Sequence, residues 1–202
     1  MEHVGRLTSD LRDQVLKTRM VPIDNVFSRF PRMVRDLAKN LGKEINLVIE
    51  GKETELDRTV IDEIGDPLVH ILRNSVDHGI ETPDVREANG KPAAGTVRIT
   101  AFQQGNNVVV KIMDDGKGID VQAVGEKAVR QGLLTEEELA EKTEEEIINS
   151  IFLPGFSTAK KVSDVSGRGV GMDVVRTKIK SLGGTVQISS VFGQGTTITI
   201  TL

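Results

Sequence analysis

His70 and Asn74 stand one helical turn apart in the run His70-Ile-Leu-Arg-Asn74-Ser-Val-Asp77-His78-Gly79. A helix turns by about 100° per residue, so His70, Asn74, Asp77 and His78 fall within about a third of its circumference. Leu68, Leu72, Ser75 and Val76 take the opposite side. A merely solvated face would use Lys and Glu, which suit helix and water better than this set does. An asparagine carboxamide oxygen is a hard, neutral ligand. It suits a Mg²⁺ ion that already carries phosphate oxygens, because it adds no negative charge. His70, one turn earlier, is within reach of a terminal phosphate. Zinc fits poorly, since His70 and His78 lie two turns apart and the chain has no cysteine.

A second cluster, Asp114-Asp-Gly116-Lys-Gly118, follows an alternating apolar run. A carboxylate accepts hydrogen bonds and the adenine amine donates them, so Asp114 is suited to select adenine over guanine. Gly116 and Gly118 let a base approach the backbone. Alone, the cluster would read as an Asp-Gly turn. It lacks the alternating oxygen ligands of a calcium loop. A third run, Phe152-Leu-Pro-Gly-Phe156-Ser157-Thr158, and a fourth, Gly167-Arg-Gly169-Val-Gly171-Met-Asp173, bracket a Ser/Gly/Lys-rich stretch without periodicity. Glycines before a helix offer free N–H groups and the positive end of its dipole to phosphate. The spacing is neither a dinucleotide fingerprint nor a Walker loop. Phe152 and Phe156 read as core anchors. Ser157, Thr158, Lys160 and Lys161 are candidates for phosphate contact on closure, though the two lysines read better as solvent-exposed.

These residues need elements to hold them. Val4, Leu7, Leu11 and Val15 predict a first helix with a narrow stripe. It reads equally as a helix packed on its own domain or as part of a dimerisation hairpin. A second helix is expected after Asp24 as N-cap, with Pro31 kinking or splitting it. Strands are expected at 45–50 and near 54–57, then a helix over 62–79 with Pro67 near its first turn. A loop is expected over 80–95, and a hairpin over 97–103 and 108–114. Thr135 and Thr143 each precede glutamate by three residues, the pattern of a capping box. A helix over 170–181 is ended by Gly183-Gly184, and strands at 185–191 and 196–201 close the chain. The expected fold class is α/β, a two-layer α/β sandwich on a mixed, mostly antiparallel sheet.

Composition limits the functions available. The chain has 202 residues and a net charge of −4 without a basic block, which argues against nucleic acid as a partner. The absence of cysteine suits a cytoplasmic protein. No apolar run approaches a membrane span, and the N-terminus lacks a signal peptide's apolar core. With neither Trp nor Tyr, a base pocket must be aliphatic with a few polar contacts.

In this order, the motifs resemble the N, G1, F and G2 boxes of the superfamily that joins histidine kinases, DNA gyrase, MutL and heat-shock chaperones. Residues 70–81 and 154–173 are similar in wording to the CheA family of chemotaxis histidine kinases. Arg19-Met-Val-Pro22 and the run 30–37 resemble that family's junction between dimerisation and kinase regions. The resemblance implies the Bergerat fold, with ATP and Mg²⁺ as cofactors. It implies a remnant of the dimerisation helix at 1–21, a catalytic domain at 22–202 and an ATP lid at about 152–171. It assigns Asn74 as the magnesium ligand and Asp114 as the adenine reader. Asp77 and His78 would lie near the nucleotide, with Gly116 and Gly118 at the base. Ser157, Thr158, Gly167, Gly169 and Gly171 would lie along the phosphates. His70 stands where the wider superfamily has glutamate, which implies transfer to a docked histidine in place of fast hydrolysis, with His70 as the catalytic candidate.

The implied reaction moves the γ-phosphoryl group of ATP to a histidine on a separate phosphoacceptor domain of the same kinase. His3 lacks the His-Ser-x-Lys-Gly context of such an acceptor. The expectation is a catalytic core from a longer homodimeric protein, itself monomeric. Response regulators, an adaptor and chemoreceptors in membrane-associated arrays would be met through other parts. An ATP-hydrolysing conformational clamp and a nucleotide-sensing interaction module are the alternatives.

Overall fold

The computed structural model describes residues 18–156 and 171–202; the first predicted helix, His3, Ser157, Thr158, Lys160, Lys161, Gly167 and Gly169 lie outside the described residues. A short strand β1 (Met20–Pro22) leads into helices α1 (Asp24–Phe27) and α2 (Phe30–Asn40). Pro31 therefore splits the predicted helix. It sits in the first turn of α2, where a missing N–H costs no intrahelical bond. Asp24 is the first residue of α1, and Ile23 occupies the cap position expected for it.

Strands β2 (Ile45–Glu50) and β3 (Glu55–Asp57) precede α3 (Arg58–Asn74), which runs on into a π-helical turn, Ser75–Gly79. The α3 helix begins earlier than its apolar periodicity suggests, because Asp57 caps it by accepting the Thr59 amide at 2.8 Å. Pro67 is consequently in the helix interior, buried, where proline removes one backbone bond. The expected loop over 80–95 contains a short helix, α4 (Pro83–Ala88), opened by a proline in its first turn.

Then come β4 (Gly95–Gln104), β5 (Asn107–Asp114), α5 (Val121–Arg130), α6 (Glu136–Glu141) and α7 (Glu144–Ile148). Both capping boxes form: the hydroxyls of Thr135 and Thr143 accept the amides of Glu138 and Glu146, and the glutamates reach back. A 3₁₀ turn (Asn149–Phe152) precedes α8 (Met172–Ser181), β6 (Thr185–Val191) and β7 (Gly195–Thr201). Gly183 adopts φ +80°, and its amide and that of Gly184 close the last turn of α8 on Lys180 and Ile179.

The main sheet has the order β2-β4-β5-β7-β6. Strands β2 and β4 run parallel and every other pair antiparallel. Separately, β1 pairs antiparallel with β3. Val97, Ile99 and Ala101 of β4 alternate with partly exposed Thr96, Arg98 and Thr100, so one sheet face is apolar. Val110, Ile112, Ile188, Ile198 and Ile200 extend that face. Phe27, Phe30, Ile64, Leu68, Ile71, Leu72, Val175 and Ile179 cover it from the helices. This is the expected two-layer α/β sandwich on a mixed sheet. Because one face of α3 is fixed in this core, its other face, with His70 and Asn74, is left only partly buried.

Candidate functional site

The α3 helix carries His70 and Asn74 on its α-helical part, whereas Asp77 and His78 lie on the π turn. The change of winding is marked by the Ile80 amide donating to the Ser75 carbonyl at 2.8 Å, five residues back. A uniform 100° wheel therefore does not describe the whole run. Lys43, on the loop before β2, donates to the carbonyls of Val76 at 2.9 Å and Asp77 at 2.5 Å. It thereby satisfies carbonyls at the end of the helix. Burial and the nearby Lys117 pull the Lys43 ammonium below its ordinary value, against the carboxylates of Asp77 and Glu81.

The fourth motif meets the first. Asn74 Nδ2 donates to Met172 Sδ at 3.2 Å, so α8 packs beside the polar face of α3. Gly171 occupies the cap position of α8 with extended backbone and no side-chain acceptor, leaving its N-terminal amides to other partners. His70 is half-buried. Burial, with the nearby charges of Arg73 and His78, lowers its pKa despite the carboxylate of Asp173, so the imidazole is neutral at pH 7. His78 is exposed, with Nε2 3.8 Å from Asp77 Oδ2.

The second motif meets the first from the sheet side. Asp114 ends β5, and burial raises its pKa against the opposing hydrogen bonds from the Ser75 hydroxyl and the amides of Gly116 and Thr196. Gly116 N lies 3.1 Å from Asp114 Oδ1. Close packing surrounds this carboxylate, with no room for a Cβ at Gly116 and little at Gly79. A Cβ on Gly116 would lie 2.2 Å from the Gly79 carbonyl oxygen, and one on Gly79 would lie 3.1–3.2 Å from the Asp114 carboxylate. The Lys117 amide donates to Gly79 O at 3.0 Å. Gly118, at φ +69°, lies against the backbone of Val191 and Phe192. The third motif supplies anchors: Phe152 and Phe156 are buried, with Arg176 5.7 Å from the first ring centroid and Lys127 4.5 Å from the second.

Residues that sequence reasoning missed support the site from behind. Arg86 is fully buried and Glu81 nearly so; Arg86 Nη1 lies 3.2 Å from Glu81 Oε2. Arg86 also binds the Asp115 carboxylate at 3.1 Å, and Lys91 binds Glu81 Oε1 at 3.0 Å. Burial acts to raise the Glu81 carboxyl, but its own amide, Lys91 and Arg86 hold it below its ordinary value. The only sequence signal was charge in an otherwise turn-rich loop, and charge there normally means solvent. Ser75, assigned to the apolar side, is buried there and reaches Asp114. Among the described residues no group of three or more His, Cys, Asp or Glu is arranged to hold a metal ion.

Residues 63–202 match the family described as histidine kinase-, DNA gyrase B- and HSP90-like ATPase. The chain is 52% identical over 202 residues to the chemotaxis protein CheA of Bacillus subtilis, covering 100% of this chain and 30% of that protein. It is 54% identical over 194 residues to the sensor histidine kinase CheAY of Helicobacter pylori, covering 96% and 24%. Against CheA of Listeria innocua it is 54% identical over 203 residues, covering 99% and 33%. The chain thus spans about a third or less of the length of these curated relatives. Among solved structures, the Acinetobacter baumannii histidine kinase AdeS shares the fold at TM-score 0.53 and 18% identity, covering 100% of this chain and 78% of that one. The histidine kinase domain from Erythrobacter litoralis EL346 does so at TM-score 0.51 and 17% identity, covering 90% and 65%.

Proposed function

Because the chain belongs to the histidine kinase-, DNA gyrase B- and HSP90-like ATPase family, we propose that it binds Mg-ATP and transfers the γ-phosphoryl group to a histidine on a separate phosphoacceptor domain in chemotaxis signalling. One observation carries this reading. The buried Asp114 carboxylate, enclosed by glycine backbone, accepts from Ser75, the residue next to Asn74 on the helix that also bears His70. A base reader and a metal-side asparagine brought together from distant sequence suit an adenine nucleotide.

The ionised Asp114 accepts the exocyclic amine of adenine. With its nitrogen on Met172 Sδ, Asn74 would hold a hard cation through its carboxamide oxygen. A single neutral ligand suits an ion that arrives with the triphosphate, and Mg²⁺ then supplies charge neutralisation on the phosphoryl group. The N–H groups at the start of α8, near Gly171, meet phosphate oxygens. Gly116 and Gly118 line the base, and Asp77 and His78 line the outer rim. The proposal extends to Ser157, Thr158, Gly167 and Gly169 as phosphate contacts of a lid at about 152–171. His70, neutral at pH 7, orients the incoming imidazole or takes its proton. The acceptor imidazole is itself a competent nucleophile, so transfer needs no strong base.

The same reading makes residues 1–21 a remnant of a dimerisation helix and 22–202 the catalytic domain, monomeric by itself. In the cytoplasmic homodimer, response regulators, adaptor and chemoreceptors would be met through other domains. No described helix is long and apolar enough to cross a membrane.

The test mixes the chain with radiolabelled ATP, Mg²⁺ and a separately supplied acceptor domain. Label on the acceptor histidine is expected, with little phosphate released when the acceptor is omitted. Steady release without acceptor would favour an ATP-driven clamp. Tight binding with neither transfer nor release would favour a nucleotide-sensing module.

A further inference from the structure

The loop that follows β5 is held by two cations from the segment between the π turn and β4. Lys91 Nζ donates to the carbonyl of Asp115 at 3.1 Å and to that of Gly116 at 2.7 Å. Arg86 Nη1 donates to the same Asp115 carbonyl at 3.2 Å, and its Nη2 to the Asp115 carboxylate at 3.1 Å. Arg86 Nε is fixed in turn by the Pro92 carbonyl at 2.8 Å. Both cations share Glu81, two residues beyond the π turn, whose side chain is 8% exposed. Asp115 also keeps its loop in register with the sheet, its Oδ1 accepting the Thr96 amide at 2.8 Å. Two buried or half-buried cations and two carboxylates therefore converge on the backbone immediately after Asp114.

This grip bears on the Asp114 carboxylate itself. The Gly116 amide lies 3.1 Å from Asp114 Oδ1, while the Gly116 carbonyl accepts from Lys91. The peptide units on either side of Gly116 are thus fixed at both ends. A glycine segment without such restraint would wander, since glycine has the widest backbone freedom. Glu81 ties the same network to the exit of the metal-side helix, so the base-reading loop and the π turn are one unit.

We propose that Lys91 and Arg86 are positioning residues for adenine selection: they set the loop that aims Asp114, without touching the nucleotide. The inference rests on the reading of Asp114 as the adenine acceptor. Lys91 is the better probe, because it is 18% exposed where Arg86 is 1% exposed.

The experiment compares equilibrium binding of Mg-ATP and Mg-GTP to the whole chain in Lys91→Met, Lys91→Arg and Asp114→Ala. Lys91→Met loses charge-assisted bonds to two carbonyls, and it should weaken ATP about tenfold while leaving GTP, which has a carbonyl where adenine has its 6-amine, within about twofold. Lys91→Arg should restore most of the ATP preference. A general structural role would lower both nucleotides together, and an unchanged ATP to GTP ratio in Lys91→Met overturns the proposal. If that variant does not fold, Lys91→Gln, with one shorter amide donor, must show the same loss of preference. Asp114→Ala separates the two readings. If it leaves ATP affinity intact, the adenine assignment itself fails and this inference with it. If Asp114→Ala abolishes ATP preference and Lys91→Met does not alter it, only the positioning role fails.

Discussion

An ionised carboxylate ringed by glycine backbone gives up water that it held in the unfolded chain, and burial accordingly raises the Asp114 pKa. The ionised form then costs folding free energy above the raised folded value, and that cost vanishes below the ordinary unfolded one. Asp114→Asn should therefore leave the urea midpoint at pH 7 unchanged or higher, while ATP affinity falls about thirtyfold or more in calorimetry. In the wild type, ATP affinity should decline as pH falls through the raised value, because a protonated carboxyl is a poor acceptor. For His70 the direction is opposite. Its lowered pKa stabilises the fold above the ordinary histidine value, and that contribution is lost as pH falls through the folded value. His70→Asn should flatten the decline in stability between about pH 7 and 5, read from urea unfolding at each pH. His70→Ala should keep ATP bound and lose phosphotransfer; intact transfer would reject any role for this imidazole. For Asn74→Ala, the magnesium-dependent part of ATP affinity should disappear, measured by titration with and without the ion.

At the scale of elements, the helix ends and turns divide into those with local and those with remote causes. The boxes at Thr135 and Thr143 and the close of α8 at Gly183 were readable because capping partners sit three to five residues apart. Thr135→Ala should cost about 1 kcal/mol in urea unfolding without altering nucleotide binding. The π turn was not readable from periodicity. Lys43 holds its carbonyls from 33 and 34 residues away, and Gly116 and Lys117 abut Gly79 from another strand end. Gly116→Ala tests that junction. Its Cβ would face the Gly79 carbonyl at 2.2 Å, backbone against backbone, so neither side can yield cheaply. The variant should lose about 1–3 kcal/mol or more of stability, and its ATP affinity even where it remains folded.

Across the described residues, the apolar layer between sheet and helices leaves a polar edge where the π turn after α3 meets the β5 loop, with the start of α8 beside Asn74. The buried charges behind that edge make it sensitive to substitution well away from the nucleotide. Arg86→Met should cost about 3–5 kcal/mol in chemical unfolding, because Glu81 would keep a buried charge with one partner fewer. By itself the sequence determined the chemical types available: a carboxamide and two imidazoles on one helix, a carboxylate at a strand end, and glycines for close approach. It also determined the two hairpins, the boxes at Thr135 and Thr143 and the close of α8, all of which depend on neighbours within a few residues. Only the tertiary structure decided that β2 runs parallel to β4, that Asn74 meets Met172 across 98 residues, and that Arg86 and Lys91 turn inward onto the Asp115 carbonyl. Those contacts are fixed by which surfaces the shared core forces together, and no short-range pattern of residues encodes that.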